Sequence, residues 1–209
     1  TFPDHLIDLK QAIRWIREHG AEYGADPDFL VVTGGSAGGH LAALTALTAN
    51  DPRFQPGFEQ VDTSVQGCVA FYGVYDFTDR HGVWHHPGLH ELLERQVMKA
   101  SVGEDPQLYD LASPMSQLSP DDPPFFVIHG ALDTMVPVEE ARLFCRSFRE
   151  TVKAPLVYAE IPGAQHAFEL FPSLRSVYVI QGVERFLGWL TSQYVASRRD
   201  ATSTRSAAG

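Results

Sequence analysis

Three side chains in this sequence have the types and the chain order needed for nucleophilic attack on a carbonyl: Ser36, Asp133 and His166. Ser36 lies in Gly34-Gly35-Ser36-Ala37-Gly38-Gly39, which fits the pattern G-x-S-x-G. An apolar, β-branched run at residues 29–33 precedes it, and the helix-forming stretch Leu41-Ala42-Ala43-Leu44-Thr45-Ala46-Leu47 follows. Strand, sharp turn and helix together make a nucleophile elbow, in which the serine is exposed on a strained backbone. Side chains on its neighbours would crowd that turn, which accounts for Gly34, Gly35, Gly38 and Gly39. The helix start offers the N–H of Ala37 to a developing negative charge, as part of an oxyanion hole. For the pentapeptide alone, a glycine-rich turn without chemistry is the competing reading.

A serine hydroxyl is a weak nucleophile at neutral pH; it needs a base, and the base needs a group to orient it. Residues 124–129 form a short apolar strand, and Asp133 falls in the loop past its carboxyl end. Residues 155–161 form another, followed by Pro162-Gly163-Ala164-Gln165-His166, which puts His166 in the corresponding loop. Active-site groups of parallel α/β sheets gather at that edge. Each residue has a rival reading. Asp133 could cap a helix starting near Val138, and Asp76, after a strand at 66–72, is the substitute acid. His166 could be a lone surface histidine, although His129 lies too close to its own strand's end and His40 inside the elbow helix.

With their flanks, Ser36, Asp133 and His166 resemble the α/β-hydrolase superfamily, specifically the hormone-sensitive-lipase-like bacterial carboxylesterases that include mycobacterial Lip-type esterases. The order Ser…Asp…His is that superfamily's order. Upstream, Phe2-Pro3-Asp4-His5-Leu6-Ile7-Asp8, Ala12-Ile13-Arg14-Trp15 and Tyr23-Gly24-Ala25-Asp26-Pro27 resemble the run that leads to the family's nucleophile. The resemblance covers about residues 1–192. It departs at Gly35, where many members carry Asp, and in having no His-Gly-Gly loop to supply further oxyanion donors. It implies an α/β-hydrolase fold of which this chain is the C-terminal half, with about four parallel strands flanked by helices and the N-terminal strands missing. The missing N-terminal half of the same protein is then an expected partner, and residues 29–33 form an open sheet edge through which copies of the chain can associate. The implied activity is a serine carboxylester hydrolase acting on short to medium acyl esters, a small-molecule substrate, through an acyl-enzyme. That chemistry requires no metal or organic cofactor. An amide hydrolase on the same triad and a non-catalytic scaffold that keeps the elbow are the alternatives.

Those groups need a scaffold, and the chain has the material for one. Its 209 residues suffice for one domain with a core, and 44% hydrophobic with 20% charged residues is an ordinary globular composition. A net charge of −10 argues against nucleic acid or an anionic membrane surface as partner. Cys68 and Cys145, predicted on a strand and a helix, read as buried free thiols rather than a disulfide framework. No apolar run approaches the length of a membrane span. Localisation is not legible: a cytoplasmic protein and one held at a membrane by an upstream segment both fit.

Apolar residues at Leu6, Leu9, Ile13 and Ile16 predict an amphipathic helix over 4–19, and helices are expected near 37–49, 138–151 and 173–194. Alternation with strands at 29–33, 66–72, 124–129 and 155–161 predicts a parallel sheet covered on both faces. Residues 1–195 read as one catalytic unit and 196–209 as a disordered tail. The connection at 76–120 is too long for a simple loop and reads as a lid or acyl-pocket insertion. Trp84, Leu89, Leu92, Leu93 and Val97 are its candidate pocket lining, with plain packing of a helix at 89–100 as the alternative. His81, His85, His86 and His90 invite a metal reading, but Gly82, Pro87 and Gly88 break the helix and no further ligands complete a set. A solvated loop is the reading adopted there.

Overall fold

The computed structural model describes residues 1–85 and 87–207, with side chains described as far as residue 199; His86 of the histidine-rich loop lies outside the described residues. Four parallel strands, β1 (Val31–Gly35), β2 (Gly67–Phe71), β3 (Phe125–Gly130) and β4 (Leu156–Ile161), form one sheet in the order β1-β2-β3-β4. The helices are α1 (Asp4–His19), α2 (Ala37–Leu47), α3 (Pro87–Leu92), α4 (Pro106–Leu111), α5 (Val138–Thr151) and α6 (Leu174–Ala207).

Strand alternation decides which side chains meet which layer. Cys68, Ala70, Phe125 and Val127 join one core with Ile13, Ala42, Ala43 and Ala46, and with Phe144 and Phe148 of α5. Val69, Phe71, Phe126 and Ile128 pack on the opposite face against Val179, Phe186 and Leu190 of α6. Both faces of β2 and β3 are therefore covered, which is why those two strands are buried at every position. Cys68 and Cys145 are free, buried thiols whose pKa values burial pushes up, Cys145 to about 12. Among the described residues β1 pairs with β2 alone, so its other side is an open edge.

Two expected elements differ from those observed. The first strand lies two residues later than expected: Phe29 N–H closes a turn onto Asp26, Leu30 N–H is taken by the Gln66 side chain, and Gly34 and Gly35 stay in register with Ala70 and Phe71. The tail expected to be disordered from residue 196 is instead the end of α6, which continues as helix to Ala207. Residues 189–207 contain no glycine or proline to stop the helix, and Tyr194 and Arg198 tie it to Asp26 and Asp28.

The elbow is where packing is tightest. Ser36 has φ 58° and ψ −120°, its N–H donates to Phe71 O at 3.0 Å, and its carbonyl accepts from His40 N–H at 3.0 Å. A Cβ on Gly34 would stand 2.4 Å from Gly38 O, and one on Gly39 2.4 Å from Phe71 O. Gly38, by contrast, faces open space, so the crowding expected there from the sequence is absent. One turn further, His40 is buried, its ring stacked 4.2 Å from Phe77 and its Nε2–H donated to Ala112 O at 2.7 Å.

Gly39→Ala should therefore destabilise the protein by about 3 kcal/mol or more, whereas Gly38→Ala, in an uncrowded helical position, should be neutral or stabilising by up to about 1 kcal/mol. Denaturant midpoints of the two variants check this, and equal shifts would contradict it. Burial, against the hydrogen bond to Ala112, lowers the His40 pKa to about 4. Between that value and the unfolded value of about 6.5 the unfolded chain binds a proton that the folded chain refuses, so acidification removes stability. Stability should fall from pH 7 to pH 4.5 by about 2 kcal/mol more in the native protein than in His40→Gln. Parallel denaturation curves at the two pH values test the difference.

Candidate active site

The open ends of β1, β3 and β4 bring the three sequence-predicted groups together. Ser36 follows β1, Asp133 follows β3, and His166 follows β4. The Ser36 hydroxyl donates to His166 Nε2 at 2.8 Å, and His166 Nδ1–H donates to Asp133 Oδ2 at 2.7 Å. The imidazole is mostly covered, with 10% of its side chain exposed, and the Asp133 carboxylate is fully buried.

Asp133 would be costly to bury unpaired, and its surroundings compensate. Oδ1 accepts the N–H groups of Met135 and Val136, each at 2.9 Å, while His129 Nε2 lies 3.3 Å from Oδ2. Burial alone would raise the pKa; hydrogen bonds from His129, His166 and Val136 override it and hold the carboxyl well below the usual carboxylate range. Asp133 thus fastens the turn before α5 as well as orienting the histidine, whereas the N-cap of α5 itself is Pro137. Asp76, the substitute acid, spends its buried carboxylate on Thr78, the Arg80 N–H and the Arg80 guanidinium.

Ala37 opens α2, so its N–H has no partner within the helix and stands beside Ser36. In front of them lies a cavity of about 320 Å³ whose walls include Ser36, Ala37, Val74, Phe77, Met135 and Val136. Leu89, Leu92, Leu93 and Val97 of the insertion complete the apolar lining, with His5 and Gln96 as polar members. Trp84 is not part of it. Its indole is buried and donates to Glu140 at 2.7 Å, and the residue borders a neighbouring cavity of about 260 Å³ with His85 and Met135. The sequence placed Trp84 in the pocket lining, but the hydrogen bond from its ring nitrogen to Glu140 turns it away from the serine. Glu140 also accepts Tyr75 N–H and Asp76 N–H, anchoring the insertion to α5; burial pushes its pKa up to about 7 against those bonds. The insertion's helix is α3 followed by a wider π-helical stretch, Leu93–Met98. His90 packs 4.5 Å from the Trp84 ring and 3.5 Å from Asp79.

Three neighbours of the site had no signal in the sequence. His129, set aside as a base, donates its Nε2–H to Val136 O at 2.9 Å and so holds the same turn that Asp133 fastens. Tyr72, just past β2, packs its ring 4.5 Å from that of His166, and its hydroxyl donates to Glu169. Glu169 sits on a short turn, Phe168–Leu170, three residues after His166. A Cβ on Gly35 would stand 2.7 Å from the Tyr72 hydroxyl, which accounts for a glycine at this position.

Comparison with known proteins bears on the family and the fold. The family model BD-FAE matches residues 1–148. The probable carboxylic ester hydrolase LipM of Mycobacterium tuberculosis is 54% identical over 187 residues, covering 90% of this chain and 43% of LipM. Esterase LipQ of the same organism is 45% identical over 206 residues, covering 99% of this chain and 48% of LipQ. The chain thus spans just under half the length of these relatives. The esterase Est2 of Thermogutta terrifontis superposes with a TM-score of 0.70 at 28% identity, over 88% of this chain and 64% of Est2. The parallel sheet with helices on both faces is that of the α/β-hydrolase esterases, and the chain belongs to the BD-FAE family.

Proposed function

We propose that this chain carries the triad of a serine carboxylester hydrolase, with Ser36 as nucleophile, His166 as base and Asp133 as the group that orients it. The observation that carries the reading is the unbroken hydrogen-bond relay from the Ser36 hydroxyl through His166 to a buried, ionised Asp133. In this reading Ser36 Oγ attacks the acyl carbon and its proton passes to His166 Nε2. The tetrahedral oxyanion accepts the Ala37 N–H, and the imidazolium is held by Asp133. Collapse of the intermediate expels the alcohol, which takes the proton from His166. Water then attacks the acyl-enzyme by the same relay in reverse.

The substrate proposed is an uncharged ester of short to medium acyl length. The apolar walls and limited volume of the cavity beside Ser36 support it, with the 76–120 insertion acting as its lid. The Thermogutta esterase has been solved with propionate and with butyrate bound, which fits the same size class. The proposed partners follow from the sheet: the open edge of β1 accepts a strand, from an upstream half of the protein or from a second copy.

Ser36→Ala and His166→Ala should each lower kcat by up to about 10⁶-fold, and Asp133→Asn by about 10⁴-fold. Near-normal hydrolysis by Ser36→Ala would refute the mechanism, and a larger loss in Asp76→Asn than in Asp133→Asn would reassign the acid. Rates on a chain-length series of p-nitrophenyl esters should peak below palmitate, and parallel anilides separate ester from amide preference. For the edge, light scattering should detect association of the chain that a lysine replacing the exposed Thr33 weakens. A monodisperse monomer in both cases would remove the edge-pairing proposal.

A further inference from the structure

Tyr72 is held in a conformation that large side chains avoid. Its φ is 36°, in the left-handed region, although it is an aromatic residue with a Cβ. Its backbone is fixed there because its N–H donates to Ile128 O at 2.7 Å, while the next residue, Gly73, lies close against Gly39 and His40 at the start of α2. Strain of this kind persists where the surroundings enforce it, and it gathers at functional sites. What the strain achieves is visible in the ring's position. It lies 4.5 Å from the His166 imidazole, tilted by 57° to it. Two hydrogen bonds pin the two nitrogens of the imidazole, and the Tyr72 ring packs against it.

The hydroxyl of Tyr72 is itself held. It donates to Glu169 Oε1, and Gly35 leaves the space it occupies. The turn carrying Glu169 is fixed by Ser176, whose hydroxyl donates to Phe171 O at 2.8 Å. Glu169 Oε2 is buried and has no hydrogen-bond partner among the described residues, so the carboxylate's accessible bonding is spent on the tyrosine. Burial first, and then the Glu169 carboxylate, push the Tyr72 pKa up, so the phenol stays protonated and donating. A phenol that donates to a carboxylate has a more electron-rich ring, and such a ring attracts a cation more strongly.

We propose that Tyr72 and Glu169 form a positioning pair for His166: Glu169 holds the phenol, and the phenol ring both fixes the imidazole's orientation and favours its protonated form during turnover. Neither residue touches the reacting atoms. This inference rests on the triad reading above, and it assigns a role to two residues outside that triad.

The test compares the native protein with Tyr72→Phe, Glu169→Gln and the double variant. The readouts are p-nitrophenyl butyrate hydrolysis across pH and the rate at which a fluorophosphonate labels Ser36. Each single variant should lower kcat by about tenfold with KM within about twofold, and slow labelling similarly. The acid limb of kcat/KM should move to lower pH by about 0.3 unit or more, because the imidazolium has lost a favourable neighbour. The double variant should be no worse than the poorer single one, since the two residues act as a unit. Unchanged kcat with an unmoved acid limb, or losses that multiply in the double variant, would overturn the pairing. Glu169→Gln keeps the side chain's size and leaves the ring in place, so it decides the matter alone if Tyr72→Phe does not fold. Residual hydrolysis by Ser36→Ala would overturn the triad and the pair's role with it. Loss of hydrolysis in Ser36→Ala beside full activity in both positioning variants would overturn the pair only.

Discussion

A serine held at φ 58° is the constraint on which most of the architecture around the site depends. An L-residue does not adopt that backbone without enforcement, and here the enforcement comes from three directions. The Ser36 N–H is fixed to the end of β2, its carbonyl is taken into α2, and Gly34 and Gly39 let the two backbones approach within distances that any Cβ would forbid. The end of β2 must then turn away sharply, which places Tyr72 in its own unusual conformation and brings Gly73 against the start of α2. One strained residue thus sets the course of the neighbouring strand. The uniformly buried β2 and β3 supply the packing that sustains it.

The electrostatics follow the same economy. Asp133 is removed from water, yet it remains charged because it receives hydrogen bonds from two backbone N–H groups and from His166, with His129 Nε2 3.3 Å away. Its burial also keeps water from competing for the imidazole. Glu140 and His40 solve similar problems under the insertion. Each is a buried polar group joined to the insertion: Glu140 through Tyr75, Asp76 and Trp84, and His40 through Ala112 and Phe77. Buried polar groups of this kind cost more when left half-satisfied than apolar ones would, so they fix a single arrangement of the loop over the sheet.

Much of the site was legible because its signals are local. Small residues around Ser36, a Pro-Gly break before His166 and an apolar run before Asp133 each mark a strand's carboxyl end within a few residues. A parallel sheet then does the rest by collecting those ends on one edge. The four strands and the helices α1, α2 and α5 could be read for the same reason. What escaped was tertiary. Tyr72 and Glu169 are 97 positions apart in the chain, and nothing near either announces the other. Trp84 has the hydrophobicity of a pocket residue, and only the distant Glu140 determines which way it faces. Gly38 fits the motif while facing open space, whereas Gly34, Gly35 and Gly39 are crowded as the sequence suggests. Composition at the C-terminal end suggested disorder because Ser, Thr and Arg carry no apolar period, but a helix already propagating along α6 needs no such period to continue.

The two halves of the site have separate structural origins. The groups in the hydrogen-bond relay stand on strand ends of the central sheet, whereas Leu89, Leu92, Leu93 and Val97, which enclose the cavity, belong to a single excursion between β2 and β3. That excursion is fastened by Glu140 to Tyr75, Asp76 and Trp84 and by a second core in which Leu93, Met98 and Tyr109 pack with Phe2, Leu6, Leu44 and Phe54, while Leu89, Leu92 and Leu93 make no part of the sheet's core. Replacing an exposed side chain of α3 such as Leu92 therefore reshapes the cavity without loading the strands that align the relay. In such a layout selectivity can diverge among related proteins while the reactive machinery beneath it stays fixed, a division of labour written into the connectivity of the chain.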